Sequence, residues 1–143
     1  EPYVIEYNCR MGDPETEVVI PRIKNDFVHL LNATADGSLE SINLEIDERA
    51  VVAIVAVSGG YPGDFKKGEP ISGLEKARPA DSLLFHSGTL QKENTVVTNG
   101  GRVLVGVSFA ESISRAAKKS ATDLKTISFK NMQFRKDIGY EFS

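Results

Sequence analysis

From Glu6 to Glu15 the chain reads Glu-Tyr-Asn-Cys-Arg-Met-Gly-Asp-Pro-Glu. On an extended strand alternate side chains share a face, so Glu6, Asn8 and Arg10 would all point the same way. An acid, an amide and a guanidinium in a row make a poor core face, because each would need a partner once taken out of water. For three arbitrary polar residues the simplest account is a solvent-exposed face. The chemistry of these three fits one task better. A carboxylate and an amide oxygen are hard donors suited to Mg²⁺, which keeps its other positions for water and nucleotide phosphates. An arginine one step along can hold a phosphate or carboxylate through two parallel N–H bonds and neutralise charge as a phosphoryl group moves. Ile5, Tyr7 and Cys9 supply an apolar opposite face, so the segment is expected to be a strand of a sheet, with Cys9 a small core residue.

The elements that would position this row follow directly. Tyr3 to Tyr7 is β-rich, and Gly12, Asp13 and Pro14 break it. Glu15 to Ile20 favours a helix that Pro21 continues only with a kink or a restart. Asn25-Asp26 starts a second helix, with the Asn side chain as the expected cap. Phe27, Leu30, Leu31 and Thr34 then share one face, and Asp36-Gly37 ends it. The polar stretch from Asp36 to Asp47 is the expected linker. Beyond it, strands are predicted at Ala50 to Ser58, Glu69 to Ile71, Ser82 to His86, Thr95 to Val97 and Arg102 to Ser108, separated by Gly, Asn and Pro clusters as in an antiparallel sheet. Asn99-Gly100-Gly101 reads as a hairpin turn. Ile113, Ala116, Ala117, Ala121, Leu124 and Ile127 form the apolar stripe of one helix, with Lys118, Lys119 and Lys125 on its solvated side. The aromatic-rich tail, Phe129 to Phe142, is expected to pack back onto the sheet.

Composition narrows the class. The 143 residues suffice for one ordinary domain, or a small domain with a piece of another. A net charge of -3 with interspersed signs argues against a nucleic-acid partner. The longest apolar run, Ala50 to Val57, has eight residues, far short of the roughly 20 a membrane helix needs. One cysteine forms no internal disulfide, and no Cys/His cluster suits zinc. The first residues, Glu-Pro-Tyr-Val-Ile-Glu, have no basic n-region or h-region and open directly into a strand pattern. They lead us to expect a cytoplasmic chain cut from a longer one.

Glu-x-Asn-x-Arg on a late strand resembles the metal-and-phosphate strand of ATP-grasp enzymes. The Arg-Met-Gly-Asp-Pro-Glu-Thr-Glu that continues it resembles the signature of the phosphoribosylamine–glycine ligase family, with Met11 where an apolar residue such as Phe is usual. Ser58-Gly59-Gly60-Tyr61-Pro62-Gly63-Asp64, Phe85-His86-Ser87-Gly88-Thr89, Thr98-Asn99-Gly100-Gly101-Arg102-Val103 and Phe134-Arg135-Lys136-Asp137-Ile138-Gly139 resemble the C-terminal domain of that family, in the expected order, with Ser87 for the commoner Ala. The resemblance implies that Glu6 and Asn8 ligate a Mg²⁺ or Mn²⁺ bridging ATP phosphates. It places Arg10 beside the transferring phosphate as the catalytic residue, and it makes Gly12, Asp13 and Glu15 substrate-binding, with N–H groups of the turn and helix start open to an anion. The implied reaction joins glycine to 5-phosphoribosylamine, with ATP going to ADP and phosphate through an acyl phosphate. The lid, the adenine-binding segment and the ATP-gripping lysines would lie in upstream domains, so this chain alone is expected to be inactive.

The architecture expected is α+β: residues 1–45 as the end of an ATP-grasp domain (a strand and two short helices), and 46–143 as a small antiparallel sheet or barrel-like C-terminal domain with one packed helix. Two rival readings are a noncatalytic interaction module derived from such a ligase and the terminus of an ATP-grasp carboxylase. Glu6, Asn8 and Arg10 have no purpose in the first, and the Gly12-Asp13-Pro14-Glu15 turn disfavours the second. His86 is read as bonding to its Ser-Gly-Thr turn rather than as a base. The Gly59 to Asp64 loop has a sufficient account in turn geometry, the functional alternative being that it lines a substrate cleft.

Overall fold

Residues 2–5, 7, 9–76 and 79–142 are described in the computed structural model. The chain divides into two units, Glu1–Glu48 and Arg49–Ser143.

In the first unit, a single helical turn α1 (Thr16–Val19) runs into a 3₁₀ turn over Ile20–Arg22 with Pro21 at its start, the restart expected of a proline that cannot donate to the preceding turn. Helix α2 (Phe27–Asp36) is capped by Asp26, whose side chain accepts the His29 N–H, and the chain leaves it through Gly37 at φ 72°. The predicted cap, Asn25, does something else. Its Nδ2 donates to the Asn43 carbonyl at 3.0 Å, and its Oδ1 accepts the Glu45 N–H at 2.7 Å. Together with Lys24 N–H to Glu45 O at 2.9 Å and Asp47 N–H to Arg22 O at 2.7 Å, this fork ties residues 43–47 against 22–25. The stretch expected to be a linker is therefore largely held, and it includes a 3₁₀ turn at Leu39–Ser41.

Two expectations fail in this unit. Pro2–Ile5 and Tyr7 belong to no strand. A strand exists only through main-chain bonds to a neighbour, and no described residue pairs with this segment in a ladder. Its side chains consequently stand out, with Tyr3, Val4, Ile5 and Tyr7 between 70% and 96% exposed, and Cys9 is exposed rather than in a core. Of the stripe predicted on α2, Leu30 is buried, while Phe27 and Leu31 are 39% and 55% exposed.

The second unit is built around one strand. β1 (Ala50–Val57), β2 (Ser82–His86) and β5 (Arg102–Ala110) form an antiparallel sheet in the order β1-β5-β2, so β5 has neighbours on both edges. That position explains its unbroken apolar sequence, Val-Leu-Val-Gly-Val-Ser-Phe, all of which is buried. Residues directly opposite each other share a face. The register Val52↔Ser108, Ile54↔Gly106 and Ala56↔Leu104 therefore defines one side of the sheet. Helix α3 (Ile113–Leu124) covers that side: a Cβ at Gly106 would lie 2.8 Å from Leu124 Cγ, and Ser108 Oγ donates to Asp123 at 3.3 Å. Ser112 caps α3 by accepting the Arg115 N–H, and buried Ser120 donates to the Val52 carbonyl at 2.9 Å. Of the expected stripe, Ala116 and Leu124 are buried on α3, whereas Ile127, also buried, lies beyond the end of the helix.

A separate hairpin pairs β3 (Thr89–Lys92) with β4 (Thr95–Thr98). It turns at Glu93, which takes φ 49°. Asn99-Gly100-Gly101 accordingly joins strands of two different sheets and is not a hairpin turn. The strand predicted at Glu69 to Ile71 is reduced to a bridge between Pro70 and Val97, since proline has no N–H for a ladder. The tail bonds to β1 through reciprocal Val57–Gln133 bonds of 2.8 and 3.0 Å, and Met132, Phe134 and Ile138 pack against the core. Tyr140 and Phe142, at its end, are 62% and 65% exposed. The unit is thus an α+β domain with antiparallel sheets and one packed helix.

Candidate functional site

The predicted site residues lie at the start of the first unit. Glu6 and Asn8, the expected metal ligands, are outside the described residues. Arg10 is exposed, and its Nη1 donates to the carbonyl of its neighbour Met11 at 2.8 Å. Gly12 and Glu15 are brought together: the Gly12 N–H donates to Glu15 Oε2 at 2.6 Å, and Thr16 N–H returns to the Gly12 carbonyl at 3.4 Å. The turn needs glycine, because a Cβ at position 12 would sit 2.8 Å from that same Glu15 oxygen. Asp13, exposed, and Pro14 form the bend between them through a cis peptide bond.

This arrangement changes one chemical expectation. The Gly12 N–H, read from the sequence as open to an incoming anion, is occupied by the carboxylate of Glu15. An exposed carboxylate on an exposed amide is a light lock, because water competes for both groups. Arg10 retains most of its guanidinium donors for a ligand, since one Nη1 contact leaves the others unspent. As a donor set, a glutamate carboxylate and an asparagine amide oxygen suit a hard divalent cation that keeps places for water and phosphate. Among the described residues there is no group of three or more His, Cys, Asp or Glu side chains that could hold a metal.

The second unit contributes the other singled-out residues. His86 ends β2 and shares a 3.0 Å hydrogen bond between Nδ1 and Thr89 Oγ1, the turn-holding role expected of it. The Gly59 to Asp64 loop borders a cleft of about 310 Å³ whose walls include Asp64 and Glu69 facing Lys66 and Lys130. Sequence reasoning missed a charge cluster: Asp81 accepts from Arg49 at 2.6 Å and lies 3.5 Å from Lys119, while the Arg49 guanidinium sits 5.1 Å over the Phe109 ring. The Arg49 hydrogen bond, then the Lys119 charge, hold the Asp81 carboxyl below its ordinary range. These residues are 32 and 38 positions from Asp81, so no local signal could have joined them.

An antiparallel sheet carrying one helix, following in sequence a Gly-Asp-Pro-Glu turn, defines an α+β domain. The family described as "Phosphoribosylglycinamide synthetase, C domain" matches residues 51–141. The chain belongs to this family. It is 40% identical over 141 residues to the phosphoribosylamine–glycine ligase of Fusobacterium nucleatum, covering 97% of this chain and 33% of that protein. With the Vibrio vulnificus ligase of the same name it shares 43% identity over 139 residues, covering 97% and 32%. A bifunctional purine biosynthetic protein of Dictyostelium discoideum is 44% identical over 138 residues, 95% of this chain and 17% of that protein. The crystal structure of phosphoribosylamine–glycine ligase from Thermotoga maritima superposes with a TM-score of 0.74 at 32% identity, over 96% of this chain and 33% of that one. The chain thus spans about one third of the length of the single-function ligases it matches.

Proposed function

We propose that this chain is the C-domain portion of a cytoplasmic ATP-dependent ligase that joins glycine to 5-phosphoribosylamine in purine biosynthesis. The observation that carries the reading is the family match over residues 51–141, extended by relatives named as that ligase across nearly the whole chain. On this reading residues 1–45 close an ATP-grasp domain and 46–143 form the domain that follows it. The remaining ATP-grasp machinery, on domains absent from this sequence, supplies most of the nucleotide site, so the chain by itself turns over no substrate.

Within that site Glu6 and Asn8 would hold Mg²⁺ or Mn²⁺. The metal, when bound, offsets negative charge on the phosphates as the terminal group is transferred. Arg10, reaching from the same row, stabilises the transferring phosphoryl group and then the glycyl phosphate by charge-assisted hydrogen bonds. The Gly12–Glu15 turn shapes the substrate side. Glu15 releases the Gly12 N–H when a substrate anion competes for it. The amine of phosphoribosylamine attacks the acyl carbon, the C–N bond forms, and inorganic phosphate leaves.

The test uses the full-length ligase with phosphoribosylamine generated in situ, following glycine-dependent ADP release. Arg10→Ala is expected to lower kcat by two to three orders of magnitude, in the range of a lost transition-state donor, roughly 10²–10³-fold. Glu6→Ala and Asn8→Ala should lose activity that extra Mg²⁺ partly restores. Full-length protein that consumes no ATP with these substrates would remove the reading. Glycine-dependent ATP hydrolysis by the 143-residue chain alone would remove the statement that it is inactive in isolation.

A further inference from the structure

A second cleft, of about 410 Å³, lies between α3 and the tail of the Arg49–Ser143 unit. Its apolar lining comes from Ile54 of β1, Ala117 and Ala121 of α3, and Phe134 and Ile138 of the tail. Lys118 and Lys125 on the helix and Lys136 on the tail also line it. All three lysines are exposed, and none makes an ion pair among the described residues. One acid, Asp137, lines the same cleft, and its carboxylate is gripped by both Nε and Nη2 of Arg135 at 2.9 and 2.7 Å. Lys119, one position from Lys118, points its charge to Asp81 instead.

Three exposed lysines lining one concavity, none ion-paired among the described residues, are unexpected in a chain whose net charge is -3. Like charges along one cleft repel, and a bound anion would turn that repulsion into attraction. The lining mixes apolar side chains with Ser114, Thr122, Asp137 and the lysines, and 410 Å³ falls within the usual size range of a small-molecule site. Phe134 and the largely exposed Tyr140 add aromatic surface at the end of the cleft. Bulk inorganic anions would use the lysines and leave the apolar lining wet. A ligand with a flat apolar body and at least two negative charges would use both.

We propose that the cleft between α3 and the tail binds an organic phosphate of nucleotide size, its phosphates held by Lys118, Lys125 and Lys136 and its body on the apolar side chains of Ala117, Ala121 and Phe134. The site stands on residues of the Arg49–Ser143 unit alone. It does not depend on the ligase reading, and it shares no residue with the Glu6–Glu15 row.

The experiment is an amide chemical-shift titration of the 143-residue chain with ADP, adenosine and inorganic phosphate as separate probes, free of divalent metal. ADP is expected to shift Ala117, Thr122, Ile138 and Gly139 saturably, with phosphate weaker and adenosine weaker still. Lys118→Ala/Lys125→Ala/Lys136→Ala should weaken ADP about tenfold or more while leaving the rest of the spectrum in place. A control, Lys66→Ala/Lys130→Ala in the other cleft, should leave ADP affinity unchanged. Saturable shifts at Arg10 to Glu15 instead of at α3, or equal ADP affinity in the triple variant, would overturn the site. Phosphate binding as tightly as ADP would overturn the organic part of the assignment, and adenosine doing so would overturn the role of charge.

Discussion

Gly106 sits mid-strand in β5, where glycine is ordinarily a cost, and the reason is across the interface on α3. Leu124 fills the space a methyl group would need. Gly106→Ala is expected to destabilise the chain by about 1–3 kcal/mol through overpacking. Leu124→Ala should cost about 2–5 kcal/mol by opening a cavity in a site that is 1% exposed. Because the two changes act on one contact, the double variant should cost less than the sum in urea unfolding; strict additivity would show that the contact is not what constrains position 106. Asp81 is a different kind of residue, half-exposed and tied to Arg49 and Lys119. Its folded pKa is depressed below 3.8, so its contribution is complete above that value and is lost as pH falls through the lowered pKa. Asp81→Asn should therefore flatten the acid limb of a Tm-versus-pH curve below about pH 4. An unchanged limb would assign acid sensitivity to other carboxylates, Asp137 with its Arg135 pair among them.

At the scale of elements, α2 and α3 were legible from their apolar period, and for α2 also from its Asn25-Asp26 start. Asp26 rather than Asn25 caps α2, and Ser112, not singled out from the sequence, caps α3. Asp26→Ala should cost about 0.5–2 kcal/mol of the first unit's stability and speed amide exchange at Val28 to Leu30. Asn25→Ala should instead loosen residues 43–45, whose main chain it bonds. Faster exchange at 28–30 in Asn25→Ala than in Asp26→Ala would return the cap to Asn25. Strands were less legible. β3 has Leu90 46% exposed and no apolar alternation, so nothing in Thr-Leu-Gln-Lys announces a strand. β5 announced itself, being apolar at almost every position.

Across the whole molecule the two units differ in how they treat apolar surface. Arg49–Ser143 encloses a core running from Val52 through Leu104 to Leu124 and Phe129. Glu1–Glu48 leaves Tyr3, Val4, Ile5, Tyr7, Val28 and Leu31 more than half exposed. Of these, Tyr3 to Ile5 and Tyr7 put exposed apolar groups close together in the chain, the kind of surface that other protein covers. Hydrogen exchange on the isolated chain is expected to be slow at Val103 to Phe109 and fast at Tyr3 to Ile5 and Tyr7. Uniform strong protection of both segments in a monomer would contradict this division.

By itself the sequence determined the Gly12–Glu15 turn, both longer helices, four of the five strands (β1, β2, β4 and β5), and the family resemblance through motifs spread along the chain. These depend on residues a few positions apart, where dihedral preference and side-chain period act directly. Only the tertiary structure decided which strands pair, that Asn99-Gly100-Gly101 passes between sheets, that Glu15 occupies the Gly12 N–H, and that Lys118, Lys125 and Lys136 line one cleft. It also decided that Tyr3 to Ile5 and Tyr7, for all their β-rich composition, belong to no sheet among the described residues. A strand's hydrogen bonds and a cleft's charge belong to pairs of segments distant in the chain. No local pattern encodes the partner, because each segment's propensity is satisfied equally well with any neighbour of the right period, and packing of the whole selects one.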